Sequence, residues 1–182
     1  MYRSASASGI LDKITFIQNG VDEVRRSAVI SVDNSNNGGS SVRLPNTTIV
    51  GNNTTEQSLE TVLLSDLINA IKIVEKPSLI VIKIDVELLE CRTFLGSSSI
   101  FKRPQDVPID AVIMEWVFIR ENGEYSEQCP MEKVKLMTKM FLDGGYIPYR
   151  ANDTRELNTA NLGLEWKTDV LWRLQKNSSL AQ

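Results

Sequence analysis

Three carboxylates lie close together in the stretch IKIDVELLE, residues 82–90. They are Asp85, Glu87 and Glu90, and they follow an apolar run that is typical of a buried strand. Carboxylates in such a cluster can accept a proton from a hydroxyl group or bind a hard cation. They can also begin a helix, because acidic side chains in the first turn complement the helix dipole. An unpaired charge is costly to bury, so these residues either begin a helix or line a site.

The 182-residue chain contains no histidine and two cysteines, Cys91 and Cys129. The lack of histidine excludes a Ser-His-Asp triad, a Cys-His pair and every zinc site that uses histidine. Two distant cysteines cannot form a Cys-only zinc site, and they are too few for a disulfide framework. Acid–base chemistry must therefore use Asp, Glu, Lys, Tyr or Cys, and any metal ion would need oxygen ligands.

Glu115 lies near the end of a second apolar stretch, residues 109–118. If Asp85 and Glu115 meet at one edge of a sheet, their charges repel unless a cation lies between them. Lys83 is one candidate, because a lysine in a buried strand should need a carboxylate partner such as Glu115. A bound magnesium ion is the alternative. We favour Lys83 because it is part of the same strand.

Apolar periodicity divides the chain into elements that could hold these side chains. Strand patterns cover residues 13–21, 27–34, 41–44, 79–86, 109–118, 146–150 and 169–175. Helical patterns cover residues 65–77, 87–96 and 130–145. Asn37-Gly38 predicts a hairpin over residues 27–44, and the polar composition of residues 45–60 predicts an exposed loop.

From residue 65 onward, helices alternate with apolar strands, which is typical of an α/β fold with a mostly parallel sheet. We expect 79–86 and 111–118 to be neighbouring central strands of that sheet. Ligands bind beyond the carboxyl ends of parallel strands, which is where Asp85 and Glu115 fall. The chain length predicts a single domain over residues 1–182.

Composition narrows the function classes further. Apolar residues make up 42% of the chain and charged residues 24%, as in ordinary globular proteins. A net charge of −3 without a basic stripe argues against nucleic-acid binding. No apolar run reaches the roughly 18 residues of a membrane span, and residues 1–10 lack the apolar core of a signal peptide. Asn-x-Ser/Thr sequons suit a secreted or luminal protein, or simply an Asn/Thr-rich surface, and they begin at Asn46, Asn52, Asn53, Asn152 and Asn177.

Four short segments resemble, in order and spacing, motifs of the FkbM family of S-adenosylmethionine-dependent methyltransferases. SNNGGSS resembles the family's N-x-G-G-S segment, and TVLLSDLI resembles its T-L-D-D-L helix entry. LIVIKIDVELLE resembles its strand with K-I-D-V-E-G-x-E, and DAVIMEW resembles its next strand, which ends in glutamate. The resemblance implies a Rossmann-like methyltransferase sheet, S-adenosylmethionine as cofactor and O-methyl transfer to a hydroxyl of a sugar or small metabolite. It also implies that Asp85, Glu87 or Glu115 removes the hydroxyl proton as the catalytic base.

Two departures from the family pattern qualify this resemblance. Leu88 replaces the glycine of D-V-E-G, which adds bulk and favours helix there. The chain contains no G-x-G, and residues 13–21 resemble the family's third strand. The chain therefore resembles the carboxyl two-thirds of the domain, without its first two strands, and we expect it to bind S-adenosylmethionine weakly or not at all.

Three interpretations of the chain stay open. It is a fragment of a working methyltransferase, a shortened homologue that serves as a non-catalytic binding or interaction module, or an unrelated α/β domain. The partner that the resemblance implies is a small-molecule methyl acceptor. It assigns no cofactor-binding residue and no metal ligand within these 182 residues.

Overall fold

The computed structural model describes residues 9, 13–15, 17–33, 41–43, 54–86, 88–102, 106–116, 118 and 125–175. These residues form an α/β fold with two four-stranded sheets. The strands are β1 Gly20–Val21, β2 Ser27–Asp33, β3 Ser41–Arg43, β4 Thr54–Val62, β5 Ile80–Ile84, β6 Ile109–Met114, β7 Tyr146–Arg150 and β8 Val170–Leu174. The helices are α1 Leu64–Val74, α2 Glu90–Gly96, a short 3₁₀ helix Ser98–Phe101, and α3 Met131–Asp143. None of the helices described here has the length and apolar character that a membrane crossing requires.

The first sheet has the strand order β1-β4-β2-β3. Strands β2 and β3 are antiparallel, with Ile30 opposite Val42, which confirms the predicted hairpin. Strand β4 pairs with β2 over seven residues, so the predicted loop 45–60 is wrong for residues 54–60, because pairing overrides their polar composition. Residues 45–53 lie outside the described residues. Of the predicted strand 13–21, the described residues place Gly20–Val21 in a strand.

The second sheet has the order β5-β6-β8-β7. Strands β5 and β6 are parallel neighbours, as predicted, whereas β8 is antiparallel to both β6 and β7. The prediction of a mostly parallel sheet is wrong, since four of the six strand pairs among the described residues are antiparallel. For β7 and β8 the reason is their connection, which consists of turns and irregular structure, whereas a parallel pair needs a crossover element. Strand β5 lies at the edge of this described sheet, not at its centre.

Helices α2 and α3 pack against each other and against the second sheet through aromatic side chains. Phe94 of α2 lies edge-to-face against Phe141 of α3, with ring centroids 5.2 Å apart. Phe141 also stacks on Trp172 of β8 at a centroid distance of 4.7 Å. The buried residues Val134, Met137 and Phe141 recur at helical spacing along one face of α3. Each such side chain contributes about 1.5–3 kcal/mol when it leaves water.

An ionic network joins the end of β1 to both of these helices. Asp22 is buried and accepts hydrogen bonds from the Arg92 guanidinium of α2 at 2.9 and 3.1 Å. It also accepts hydrogen bonds from Arg26. Glu23 lies 3.3 Å from Arg92 and 2.8 Å from the Lys133 ammonium of α3. These contacts connect the first sheet to the helices that pack on the second.

A disulfide bond between Cys91 and Cys129 joins the first turn of α2 to the segment before α3. The two Cα atoms are 5.7 Å apart, although 38 positions separate the cysteines along the chain. The sequence interpretation considered two cysteines too few for a disulfide framework and missed this bond. A disulfide requires that the two Cα atoms approach to within about 7 Å, and that distance is a property of the tertiary fold.

Candidate functional site

A cleft of about 200 Å³ lies at the carboxyl ends of β5 and β6. Asp85 follows β5 and Glu115 follows β6, immediately beyond the last residue pair of the two strands. Both carboxylates line the cleft, together with Lys83 and Asp169. The structure thus brings together two of the three residues that the sequence proposed as catalytic. The third, Glu87, lies outside the described residues.

Lys83 is exposed, which contradicts the expectation of a buried lysine. Ile82 and Ile84 of β5 are buried, whereas Val81 and Lys83 lie on the face of the strand that is open in the described structure. The Lys83 ammonium lies 3.7 Å from the Asp85 carboxylate. An exposed pair of this kind contributes about 0–1 kcal/mol. Burial therefore does not explain why Lys83 lies beside these carboxylates.

Glu90, the first residue of α2, is the buried carboxyl group of this edge. Its Oε1 accepts a hydrogen bond from the Val86 N–H at 3.2 Å, and its Oε2 has no hydrogen-bond partner among the described residues. Burial raises the pKa of Glu90 above its usual value of 4.5, and the negative charges of Glu115 and Asp85 raise it further. The backbone N–H groups of Glu90 itself and of Val86 offset part of this rise in pKa. The net shift favours the protonated form of Glu90 relative to a carboxyl group in water.

The described part of the chain contains no complete set of metal ligands. No group of three histidine, cysteine, aspartate or glutamate side chains there is arranged to hold a metal ion. Lys83, one of the two cations considered from the sequence, lies next to Asp85, and the magnesium alternative stays a prediction.

The chain between β5 and α2 turns at Leu88. The φ angle of Leu88 is +73°, in the left-handed region that favours glycine. The predicted helix 87–96 therefore begins at Glu90 instead, and Leu88 does not extend it. This is the position at which the FkbM motif carries glycine, and the backbone conformation here is one that glycine adopts at little cost.

The strain at Leu88 leads to a first prediction. We expect Leu88→Gly to be more stable than Leu88→Ala by about 1 kcal/mol, because alanine keeps the left-handed strain and glycine does not. Both variants lose the same half-buried side chain, so the comparison isolates the backbone. Urea unfolding of the two variants measures the difference. An alanine variant as stable as the glycine variant would contradict the left-handed conformation.

Glu90→Gln provides a second prediction. We expect it to raise the free energy of unfolding at pH 7 by about 1–2 kcal/mol, because a neutral amide avoids the cost of an ionised, incompletely bonded buried carboxyl. The raised pKa means that the folded wild type loses stability as pH rises from the unfolded value through the folded one. The increase in the free energy of unfolding that Gln provides should therefore be small at pH 4. It should reach its full size above the pKa of Glu90 in the folded protein.

Urea unfolding at pH 4 and at pH 7 tests how the stability gain of Glu90→Gln depends on pH. Asp85→Asn is the matched control, because Asp85 is half-exposed and its substitution should change stability by less than about 1 kcal/mol. A Glu90→Gln effect that is equal at both pH values would show that Glu90 does not titrate as inferred.

Asp169 is a residue of the cleft that sequence reasoning missed. It immediately precedes β8, and β8 runs antiparallel to β6, so the start of β8 meets the carboxyl end of β6. The expectation of a mostly parallel sheet would place Asp169 at the opposite edge. The available signal was an acidic residue directly before an alternating strand, and it becomes informative once the strand direction is known.

The cleft does not fit a whole S-adenosylmethionine molecule. Its volume of about 200 Å³ is below the range of roughly 300–1,000 Å³ in which ligand pockets fall. Its polar lining consists of three carboxylates and one ammonium group, which suits a small hydroxyl-bearing group. This cleft by itself is therefore too small to enclose the whole cofactor, and its lining is rich in carboxylates.

Searches against protein-family models, curated proteins and solved structures found no protein that matches this chain.

Proposed function

We propose that this chain carries the acceptor-side edge of a Rossmann-like, S-adenosylmethionine-dependent O-methyltransferase domain of the FkbM type. The observation that carries the proposal is the meeting of Asp85 and Glu115 at the carboxyl ends of two parallel strands. That edge is where α/β sheets bind ligands. The glycine-favouring backbone at Leu88, in the motif position of the family's glycine, supports the same proposal.

Methyl transfer to oxygen requires removal of a hydroxyl proton as the oxygen becomes a nucleophile. Asp85 and Glu115 both reach solvent and line the cleft, so either carboxylate can accept that proton from a bound hydroxyl. The Lys83 ammonium can donate a hydrogen bond to a neighbouring oxygen of the acceptor, as on a sugar or polyol. The resemblance gives Glu87 the same catalytic role as the other two carboxylates.

A second candidate function is that of a non-catalytic, methyltransferase-like binding module. One observation favours it: the cleft is smaller than a cofactor site. In this function the same sheet edge binds a hydroxyl-bearing ligand without methylating it.

The experiment is a transfer assay with methyl-labelled S-adenosylmethionine and a panel of monosaccharides and small hydroxylated metabolites. With the cofactor in large excess to offset its weak binding, we expect label in an acceptor with the wild type. We expect at least about 100-fold slower transfer with the double variant Asp85→Asn/Glu115→Gln, which removes both candidate bases, because that is the usual cost of losing a general base. Asp143→Asn removes an exposed carboxylate that pairs with Lys139 on α3, so transfer should be unchanged in this control.

Calorimetry and amide chemical-shift titration separate the two functions. We expect S-adenosylmethionine alone to bind the 182-residue chain weakly or not at all. Acceptor binding at Asp85 and Glu115 without methyl transfer would favour the binding module. Neither binding nor transfer would contradict both functions, and a micromolar Kd for S-adenosylmethionine would show that the cofactor site lies elsewhere in the chain.

A further inference from the structure

The Cys91–Cys129 disulfide indicates where this protein folds. Both cysteines are fully buried, so the bond is shielded from solvent within the packed helices. Disulfides form and persist in oxidising environments such as the endoplasmic reticulum lumen and the cell exterior, and they are rare in the reducing cytosol. The bond therefore points to folding in an oxidising compartment.

An exposed glycosylation sequon is the second, independent feature. Asn152-Asp153-Thr154 follows β7, and residues 151–153 form a turn. The Thr154 N–H donates to the Arg150 carbonyl at 2.9 Å, which closes the turn. Residues 152–156 are all exposed, so a large group on Asn152 would extend into solvent. A surface sequon in an oxidising lumen is the substrate of N-glycosylation.

We propose that Asn152 is an N-glycan attachment site of a protein that folds in an oxidising, luminal compartment. The donor class is an oligosaccharide linked through pyrophosphate to a lipid. The Asn152 amide nitrogen forms a bond to the anomeric carbon of the sugar, the bond from that carbon to the pyrophosphate oxygen breaks, and the amide loses one proton. The lipid pyrophosphate is the leaving group. The inference does not depend on the proposed function.

The sequon lies at the same sheet edge as the candidate cleft. Strand β8 is antiparallel to both β6 and β7, so β6 and β7 end at the same edge. The Ala151 N–H donates to the carbonyl of Asp169 at 2.9 Å, and Asp169 lines the cleft. A glycan on Asn152 would therefore extend from the rim that holds Asp85 and Glu115.

The experiment uses the full protein isolated from its native cells. Enzymatic deglycosylation in ¹⁸O-water, followed by chymotryptic mass spectrometry of residues 150–157, should find Asn152 converted to labelled aspartate in most molecules. Alkylation in denaturant, before and after reduction, should find Cys91 and Cys129 protected until reductant is added. Free thiols, or an unmodified Asn152 in the native protein, would overturn the proposal.

Matched variants of Thr154 test the chemistry of attachment. Thr154→Ala removes the sequon and Thr154→Ser preserves it, and both keep a side chain at the same left-handed position, where φ is +53°. In the full chain directed into the endoplasmic reticulum of cultured cells, the glycan on Asn152 should be lost from the alanine variant and kept by the serine variant. A modification that survives in the alanine variant would not be an N-glycan, and the proposal would fail.

Discussion

Asp22→Asn is expected to lower the free energy of unfolding by about 3 kcal/mol, because breaking a buried ion pair leaves the remaining charge uncompensated. Arg92 donates two hydrogen bonds to the Asp22 carboxylate, and both side chains are about nine-tenths buried or more. The remaining contact of Arg92 with Glu23 compensates part of the loss, which places the estimate at the low end for buried pairs. Urea unfolding at pH 7 measures the change. Asp143→Asn, in an exposed pair with Lys139, is the control and should cost less than about 1 kcal/mol.

The Asp22 effect should disappear in acid. Burial alone would raise the pKa of Asp22, but hydrogen bonds from the Glu23 N–H and from the Arg26 and Arg92 guanidinium groups outweigh burial and lower it below 3.8. A lowered pKa contributes stability that is fully present above the unfolded value and is lost as pH falls through the folded value. The difference between wild type and Asp22→Asn should therefore be constant from pH 7 to about 5 and shrink below that. A stability difference between wild type and Asp22→Asn that grows in acid would contradict the proposed role of the Asp22–Arg92 ion pair.

Loss of the Cys91–Cys129 bond is the second change with a large expected effect. The double variant Cys91→Ala/Cys129→Ala should lose about 4 kcal/mol, because a closed loop of this length restricts the unfolded chain by that amount. Both side chains lie in the core next to α2 and α3, so the two alanines also lose some packing.

Reductant provides the internal control for this prediction. Wild-type protein unfolded in urea with a reducing agent should lose most of that 4 kcal/mol, whereas the double variant should be insensitive to reductant. A wild type whose stability does not respond to reduction would show that the bond contributes nothing to the folded state. A variant that stays sensitive would point to some other effect of the reagent.

Local patterning was sufficient to place several elements. The predicted helices 65–77 and 130–145 correspond to Leu64–Val74 and Met131–Asp143, because apolar spacing is a property of neighbouring residues. The antiparallel pairing of β2 and β3 was predicted from the sequence, in which Asn37-Gly38 lies between two strand patterns. Apolar runs likewise located β5 and β6 and placed Asp85 and Glu115 at their carboxyl ends.

Strand direction and burial depended on contacts between residues far apart in sequence. Whether β8 runs parallel or antiparallel to β6 is set by the course of the chain between them, and this decides that Asp169 joins the cleft. An apolar run has the same composition in a strand covered on one face or on two, so Lys83 was wrongly expected to be buried. The pairing of Cys91 with Cys129 depends on how α2 and α3 pack.

Glu90 shows, within one residue, which properties local sequence determines and which depend on the tertiary fold. Its place after an apolar strand and at the start of a helix could be predicted from neighbouring residues. Its complete burial and its raised pKa could not, because they arise from the side chains packed over it and from the Asp85 and Glu115 charges that the fold brings close. Residue types and their spacing thus identified Asp85 and Glu115 of the candidate site, whereas long-range packing brought Asp169 to the same cleft and buried Glu90 beside it.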